Sequence, residues 1–313
     1  MLYKNILITG GAGFIGSHLV KRLVKKDVKL NLIIKATTKT SRLTDVLSSI
    51  NFYEADLTDE NKIKLLINKI QPDIIFHLAA RGINFENSSV NQMLETNIKG
   101  THILMRSLQG SNCKKFINTG SCFEYDGNSN KPYDEEMQSC PSNYYGLTKQ
   151  TANRLVKMNA ENLKITAITI RPFGLYGEDE NTTRLIPTII LKALDDKPIN
   201  LTPGKQIRDY IYIEDLIDAY IQAAEWTAPN LYEEFNIGSG IGISIKKLAE
   251  MIINQLNKKY SLLKIGALPY REKEMMSLVA DTTKTHRLLS WKPITSLEQG
   301  LKQLINWYYE NRN

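Results

Sequence analysis

Ile6-Leu7-Ile8-Thr9-Gly10-Gly11-Ala12-Gly13-Phe14-Ile15-Gly16-Ser17-His18-Leu19 is an apolar run that passes directly into closely spaced glycines and then into a pattern of helical spacing. This order predicts a strand, a tight turn and a helix, the first unit of a dinucleotide-binding fold. Gly10 allows the turn, Gly13 lets a pyrophosphate approach the backbone, and Gly16 lets the helix lie close to the strand. The unpaired amides at the helix start then face the phosphates. The alternative is a glycine-rich turn with only a structural role.

The length and composition of the chain limit its class. Its 313 residues predict two intertwined lobes, a dinucleotide-binding domain over residues 1–170 and a smaller α/β lobe over residues 171–313. No stretch of about 20 apolar residues occurs and Met1 leads directly into a strand, so we expect no membrane span, no signal peptide and a cytoplasmic location. Net charge is +7, but the 40 basic residues are scattered, which favours small anionic ligands over nucleic acid. Cys113, Cys122 and Cys140 are too few and too irregular for a disulfide framework, and we expect no bound metal.

The residues after the second predicted strand, Lys29–Ile34, decide which ribose the cofactor carries. An enzyme that prefers NAD usually has an acidic side chain there for the 2′-hydroxyl, whereas this sequence has Lys35. Thr37, Lys39 and Arg42 follow in the same loop. Together with Lys35 they can hold a 2′-phosphate through charge-assisted hydrogen bonds, so the sequence favours NADP(H) over NAD(H). The alternative is a solvated basic loop above an NAD site.

Two further strand ends carry residues suited to contact a cofactor. The strand Phe52–Leu57 ends in Asp56-Leu57, whose carboxylate either receives the adenine amine or caps the helix that starts near Thr58. The next strand ends in His77-Leu78-Ala79-Ala80, where the backbone can pass close to a cofactor. We expect its histidine to be a packed structural residue rather than a proton carrier.

Strands and helices alternate five times up to residue 120, which predicts a doubly wound parallel sheet of the Rossmann type with ligands at the carboxyl ends of its strands. Ser121 stands at the end of the strand Phe116–Gly120. Tyr145 and Lys149 are four residues apart at the head of a helix that reaches about Asn159, so their side chains project from one face. Such a pair also occurs by chance. The glycine turn, the serine and then the pair, in that order, favour a catalytic site.

With these motifs the sequence resembles the extended short-chain dehydrogenase/reductase family, which includes nucleotide-sugar epimerases, dehydratases and ketoreductases. The glycine turn has the G-x-x-G-x-x-G spacing of that superfamily, and the likeness covers essentially the whole chain. The further motifs that carry it are Asp56-Leu57, His77-Leu78-Ala79-Ala80, Tyr145-x-x-x-Lys149, Arg171-Pro172-Phe173-Gly174-Leu175-Tyr176-Gly177, Arg208-Asp209-Tyr210-Ile211-Tyr212-Ile213-Glu214-Asp215, Phe235-Asn236-Ile237-Gly238-Ser239-Gly240 and Trp291-Lys292-Pro293.

The resemblance implies binding roles along the chain. The residues after Arg171 form the lower edge of the nicotinamide site and lead into the sugar-nucleotide lobe. Arg208 resembles the arginine that binds the substrate diphosphate, and Arg271 resembles a second one, for which a surface helix cap is the alternative. The implied cofactor contacts are Gly10, Gly13, Phe14, Ile15, Gly16, Lys35, Thr37, Lys39, Arg42, Asp56, Leu57, Leu78, Ala79, Ala80, Thr119, Tyr145, Lys149 and Phe173.

The positions at which this sequence differs from the family motifs indicate which of the family's reactions to expect. Members that dehydrate the sugar carry Thr-Asp-Glu, where this chain has Ser121-Cys122-Phe123. Without that acid and base, 4,6-dehydration is not expected. Glu124 is one position further on and is expected to point the other way if the strand continues. The usual Asn after Phe173 is replaced by Gly174, which removes one expected contact with the substrate phosphates.

The leading hypothesis is therefore a reductase that uses NADPH to reduce the 4-keto group of a nucleotide-linked, 6-deoxy hexose. Tyr145 is the expected proton donor, Lys149 favours its phenolate and bonds the cofactor ribose, and Ser121 holds the carbonyl oxygen. Cys122 and Phe123 are expected near the sugar, where the thiol is either a weak proton donor or packing.

Two alternatives remain. An NAD-dependent nucleotide-sugar 4-epimerase would use the same Ser121, Tyr145 and Lys149. A non-catalytic dinucleotide sensor would have little reason to keep these three residues. The helices expected over Val90–Leu108 and Tyr145–Asn159 resemble those of the family's four-helix contact, so we expect a homodimer. The base and the sugar of the substrate stay open.

Overall fold

The structure, a computed structural model, describes residues 2–82 and 89–311. Among these residues no helix is long and apolar enough to cross a membrane. In chain order the helices and strands are β1 (Asn5–Thr9), α1 (Phe14–Leu23), β2 (Lys29–Ile34), β3 (Ile50–Glu54), α2 (Glu60–Ile70), β4 (Ile74–His77), α3 (Val90–Met93), α4 (Thr101–Arg106), β5 (Lys115–Thr119), α5 (Tyr144–Leu163), β6 (Thr166–Pro172), β7 (Gly174–Tyr176), α6 (Leu185–Leu194), β8 (Ile199–Leu201), β9 (Ile207–Tyr212), α7 (Ile213–Glu225), β10 (Tyr232–Ile237), β11 (Gly242–Ser244), α8 (Ile245–Gln255), β12 (Leu263–Ile265), β13 (Ser277–Leu278), α9 (Thr283–Leu289) and α10 (Leu297–Asn311).

The chain divides into two compact units whose segments alternate along the sequence. The first unit comprises Met1–Tyr125, Glu135–Pro172 and Ile217–Phe235. The second comprises Asp126–Asp134, Phe173–Leu216 and Asn236–Asn313. Relative to the division expected at residue 170, residues 126–134 belong to the second unit, and residues 171–172 and 217–235 belong to the first.

A seven-stranded sheet organises the first unit, in the order β10-β6-β5-β4-β1-β2-β3. β1 lies parallel to β2 on one side and to β4 on the other, with Ile6 opposite both Leu30 and Ile74. The strand order reverses at β1, and ligands bind at the carboxyl ends of strands at such a switch point. The pairs β2–β3, β4–β5 and β5–β6 are also parallel, which confirms the predicted doubly wound parallel sheet.

The central strands β1 and β4 carry apolar runs, as strands do where both faces of a parallel sheet are covered. Residues 6–8 of β1 and 74–76 of β4 are fully buried. Helix α2 adds Ile63, Ile67 and Ile70 to the core. Their spacing of three or four residues puts them on one side of the helix, so the pattern that predicted the helix also orients it.

The helix expected over Val90–Leu108 has an irregular centre. A π-helical segment, Leu94–Gly100, joins α3 to α4 with helical backbone angles at both junctions. A Cβ on Gly100 would lie 3.0 Å from that of Leu57, so the glycine lets this helix approach the loop after β3. The π-helical turn also carries Asn97, whose Nδ2 donates to Thr148 Oγ1 on α5 at 2.9 Å. Such turns are frequent at functional sites.

The second unit is built around β9, which pairs with β7, β11 and β13, while β8 and β12 form a separate two-stranded sheet. The carboxylate of Asp209 in β9 is fully buried. It accepts hydrogen bonds from the amides of Ser239, Gly240 and Ala280 at 2.7, 2.9 and 3.1 Å. Asp209 therefore ties the segments after β10 and β13 to the central strand.

Candidate active site

The glycine turn between β1 and α1 is shaped by close backbone contacts. Gly10 has a φ of +71°, and a Cβ on it would lie 2.5 Å from the amide nitrogen of Ala79. A Cβ on Gly16 would overlap the carbonyl oxygen of Gly10, and one on Gly13 would lie 3.2 Å from the same oxygen. The backbone itself therefore excludes side chains from Gly10 and Gly16, and α1 starts directly against the end of β1.

The N-terminus of α1 can receive an anion. Its first residue outside the helix, Gly13, is exposed, and no side chain of the described residues caps it. The amides of Phe14 and Ile15 belong to the first turn, where helix N–H groups lack intrahelical partners. Such amides, together with the helix dipole, bind phosphate groups. The turn thus fits the pyrophosphate of a dinucleotide.

Beyond the ends of β2 and β3, Lys35 forms an ion pair with Asp56, with 2.7 Å between Nζ and Oδ2. Partial burial would raise the pKa of Asp56, but hydrogen bonds from Lys35 and Thr58 lower it to about 2. Lys35 was expected in place of the carboxylate of an NAD site, but the structure brings the carboxylate of Asp56 to this lysine because β2 and β3 are neighbouring strands. Asp56 does not cap α2, since Asp59 does so by accepting from the amide of Lys62 at 3.0 Å.

A polar cleft of about 310 Å³ opens beside this ion pair. Its charged and neutral polar groups can bind the hydroxyls of a ribose or a phosphate attached to it. Of the other residues expected here, Thr37 and Lys39 are exposed, Arg42 is half-buried, and Leu57 is buried beneath Gly100. The cleft is lined by Lys35, Asp56, Thr58, Arg81, Asn91, Gln92, Glu95 and Thr96.

His77, at the end of β4, is a buried structural residue. Its Nδ1 lies 2.6 Å from Thr9 Oγ1 and its Nε2 2.8 Å from Thr101 Oγ1. Burial, helped by the charge of Lys149, lowers the pKa of His77 to about 3, so the ring is neutral. The following segment, Leu78-Ala79-Ala80, passes beside Gly10, since a Cβ on Gly10 would lie only 2.5 Å from the amide nitrogen of Ala79.

Ser121 lies at the carboxyl end of β5, where the chain turns into a short 3₁₀ helix, Cys122–Glu124. The hydroxyl oxygen of Ser121 accepts from the amide of Phe123 at 3.2 Å. The hydroxyl is the acceptor in this bond, so its own hydrogen remains for donation to a ligand. Thr119, the last residue of β5, shares a 2.7 Å hydrogen bond with the hydroxyl of Tyr220. Tyr220 is a buried tyrosine that no sequence motif indicated.

Tyr145 and Lys149 occupy one side of α5 and are buried, with 5% and 3% of each residue exposed. Asn143 caps the helix by accepting from the amide of Gly146 at 2.8 Å. A Cβ on Gly146 would overlap the carbonyl oxygen of Phe123, so this glycine lets α5 lie against the Ser121 turn. Burial lowers the pKa of Lys149 to about 8, against the opposing charge of Glu124.

Glu124 does not follow the expected strand geometry, because the chain turns at Ser121. Its carboxylate is fully buried and accepts from the Ser121 amide at 2.7 Å, from Asn153 at 2.6 Å and from Arg171 Nε at 2.9 Å. Burial raises the pKa of Glu124, although Arg171 acts in the opposite direction. Sequence patterns gave no sign of this network, since its members lie on three different elements: the turn after β5, α5 and β6.

In the second unit, the guanidinium of Arg208 is already engaged by the protein. It donates to Glu274 Oε1 at 3.0 Å and to the carbonyl oxygen of Met275 at 2.7 Å. Arg271 is exposed. A Cβ on Gly174 would overlap the carbonyl oxygen of Asp209, so no asparagine side chain fits there with this backbone.

Of the other residues predicted at the site, Cys122 and Phe173 are buried and Phe123 is half-buried. The ring of Phe123 meets that of Tyr145 edge-on, with 6.1 Å between centroids. Among the described residues no group of His, Cys, Asp or Glu could hold a metal ion.

Known proteins with this architecture cover several activities. The chain is 27% identical to the dTDP-D-glucose 4,6-dehydratase of Bos taurus, over 98% of this chain and 89% of that protein. It is 29% identical to the dTDP-4-dehydro-6-deoxyglucose reductase of Escherichia coli, over 96% of both. The crystal structure of a UDP-glucose 4-epimerase from Thermotoga maritima with UDP-glucose superposes with a TM-score of 0.90 at 26% identity, over 99% of this chain and 100% of that one.

A family model covers most of the chain. The model for the NAD dependent epimerase/dehydratase family matches residues 6–238, from β1 through β10. That span contains the glycine turn, Ser121, Tyr145 and Lys149. The chain belongs to the NAD dependent epimerase/dehydratase family.

Proposed function

We propose that the protein is a nicotinamide-dependent reductase of the 4-keto group of a nucleotide-linked 6-deoxyhexose, with NADPH as the favoured cofactor. The observation that supports this proposal most is that the carboxylate of Glu124, beside Ser121, is already hydrogen-bonded within the protein. Glu124 is fully buried and bonded to three donors, so it is not free to move protons at a sugar carbon. Dehydration needs such an acid and base, whereas reduction needs only a proton for the carbonyl oxygen.

The chain's own residues supply that proton. A bound nicotinamide would supply the hydride. Tyr145 gives its phenolic proton to the oxygen that becomes the alcohol, and the adjacent Lys149 ammonium stabilises the phenolate that remains. Lys149 also bonds the hydroxyls of the cofactor ribose. Ser121 donates its hydroxyl hydrogen to the same carbonyl oxygen and holds it in line.

The second unit is proposed to bind the nucleotide sugar. Arg208 would exchange its bonds to Glu274 and Met275 for bonds to the diphosphate, and Arg271 would bind the same group, a bidentate role in which lysine could not replace arginine. Gly174 contributes no side chain to this binding. Cys122 and Phe123, in the first unit, would lie near the sugar.

An NAD-dependent 4-epimerase is the second candidate, and one observation favours it. Asp56 lies 2.7 Å from Lys35, which offsets the positive charge expected to attract a 2′-phosphate. A carboxylate at this position can also accept from the 2′-hydroxyl of NAD. Both functions would use Ser121, Tyr145 and Lys149.

One experiment separates the two functions. Purified protein is given 4-keto-6-deoxy sugars linked to thymidine, uridine, cytidine or guanosine diphosphate, with NADPH or NADH, and cofactor oxidation is followed by absorbance. The reductase oxidises one NADPH for each sugar reduced. Interconversion of sugars with no added cofactor, by protein that retains NAD after purification, would reject the reductase in favour of the epimerase.

We also propose that the protein is a homodimer that pairs through the helices at 90–106 and α5. Large apolar side chains are exposed on these helices, with Leu94 at 43%, Leu147 at 45% and Met158 at 59%. Pairing with the same helices of a second copy would remove them from water. Sedimentation at micromolar concentration should therefore give a dimer, and a monomer alone would exclude it.

A further inference from the structure

We propose that Glu124 is a positioning residue, whose carboxylate holds the Ser121 turn against α5 and supplies the negative charge that balances Lys149. Glu124 is placed to act through Ser121, Tyr145 and Lys149 rather than on the substrate. This inference rests on the proposed function for its catalytic consequence, although the charge balance can be measured without a sugar substrate.

The geometry indicates an ionised carboxylate. All three groups that contact it, the Ser121 amide, Asn153 Nδ2 and Arg171 Nε, are hydrogen-bond donors. The Ser121 amide and the Arg171 guanidinium can only donate, and the guanidinium keeps its positive charge at every working pH, so it favours the charged form of the carboxylate beside it. A Cβ on Gly120 would lie 2.7 Å from Glu124 Oε1, so the glycine before Ser121 leaves room for this carboxylate. The site is therefore built for the charged form.

The same carboxylate joins two catalytic elements. Through the amide of Ser121 it binds the residue after β5, and through Asn153 it binds α5. Asn153 lies four residues beyond Lys149 and eight beyond Tyr145, so it is on the same side of the helix. A shift of Glu124 would therefore change the distance between Ser121 and the tyrosine–lysine pair, and small displacements of this kind cost rate.

The charges in this buried region balance. Arg171 bonds two carboxylates, those of Glu124 and Glu234, and the charge of Glu124 also acts on the buried ammonium of Lys149. The charge of Lys149 also acts on His77, which is neutral, and Tyr145 lies one helical turn before Lys149 on α5. Burial works against the charge of Lys149, and Glu124 works for it. Removing the negative charge should make proton loss from Lys149 and Tyr145 easier, whichever of the two titrates first.

The test compares three variants with the wild type. Glu124→Gln removes the charge but keeps the shape. The amides of Asn153 and Asn118 can turn over to meet the new amide, since Asn118 Oδ1 has no hydrogen-bond partner among the described residues. Glu234→Gln is the matched control, because Glu234 pairs with the same guanidinium but bonds Tyr232 instead of Ser121 and Asn153. Glu124→Asp keeps the charge and shortens the reach.

Activity against pH is the first measurement. Glu124→Gln should lower kcat about tenfold at neutral pH and move the alkaline limb of the profile down by about one pH unit. Glu234→Gln should leave the limb within a few tenths of a unit. Glu124→Asp should lower kcat without moving the limb, and this variant carries the test if the glutamine variant does not fold. Three results would overturn the inference. They are an alkaline limb that does not move in Glu124→Gln, an equal shift of the limb in Glu234→Gln, and full activity in Glu124→Asp.

Dinucleotide affinity against pH is the second measurement, and it needs no sugar. The Lys149 ammonium bonds the cofactor ribose, so affinity should fall as pH rises, and this fall should come about one unit earlier in Glu124→Gln than in the wild type. Failure of the wild type to reduce any keto sugar, with this earlier fall present, would reject the proposed function alone. If the curves of dinucleotide affinity against pH coincide for the wild type and Glu124→Gln, the proposed role of Glu124 is rejected.

Discussion

Replacing Asp56 with asparagine should strengthen NADP(H) binding, because this carboxylate competes for the lysine that we expect to meet the 2′-phosphate. Lys35 Nζ lies 2.7 Å from Asp56 Oδ2. Asp56 Oδ1 also accepts from the amide and hydroxyl of Thr58, at 3.0 and 2.9 Å. An asparagine keeps one oxygen for these two bonds, so the loop should keep its shape, and it replaces the oxygen that accepts from Lys35 with an NH2 group, which releases the lysine.

The size of the effect follows from the exposure of the pair. The side chains of Lys35 and Asp56 are 36% and 43% exposed, so solvent screens their charges. Removing one negative charge close to a phosphate in such surroundings is worth about 1 kcal/mol, or roughly fivefold in Kd. Lys35→Ala removes a charge-assisted bond worth about 1.5 to 3 kcal/mol before screening, and should weaken NADP(H) binding roughly tenfold.

Isothermal titration with NADP⁺ and NAD⁺, at low and high ionic strength, measures both changes. The NAD⁺ affinity should change little in either variant, and the NADP⁺ effects should shrink with added salt. Lys4→Ala is the matched control, because Lys4 pairs with Asp27 at 2.6 Å and precedes β1 at the opposite end of the strand from Gly10. Weaker or unchanged NADP⁺ binding in Asp56→Asn, or equal losses for both dinucleotides in Lys35→Ala, would refute the reasoning.

Three further predictions concern the catalytic tyrosine, the substrate arginine and the buried histidine. Tyr145→Phe should lower turnover by roughly two to four orders of magnitude with cofactor affinity kept, and retention of most activity would exclude it as the proton donor. Arg208→Ala should weaken nucleotide-sugar binding in calorimetry much more than dinucleotide binding, whereas equal losses would mean that its bonds to Glu274 and Met275 only support the fold. The pKa of His77 is about 3 when folded, below its ordinary 6.5, so its contribution to stability is present above pH 6.5 and is lost as pH falls toward 3, by at most about 1.4 kcal/mol per pH unit. Urea unfolding of His77→Gln should show a smaller loss between neutral and mildly acid pH than the wild type, and parallel losses would contradict this account.

Local pattern was enough to predict the order of the elements and the type of sheet. The apolar run into Gly10 and the helical spacing after it depend only on neighbouring residues, so the strand, turn and helix could be read directly. The alternation of such units predicts a parallel sheet, and the sheet brings strand ends to one edge. The end of α5 was less predictable: the helix extends to Leu163 rather than about Asn159, because helix ends depend on single caps.

Tertiary structure alone decided the electrostatics of the candidate site. Lys35 and Asp56 are 21 residues apart and meet only because β2 and β3 are neighbours, which no local pattern reveals. Glu124 was expected to follow a strand, but its contacts with Asn153 and Arg171 come from other elements and accompany a turn at Ser121. Sequence by itself thus determined which residue types reach the site. Their charge states and partners depend on burial and on contacts between distant segments, and these exist only in the folded chain.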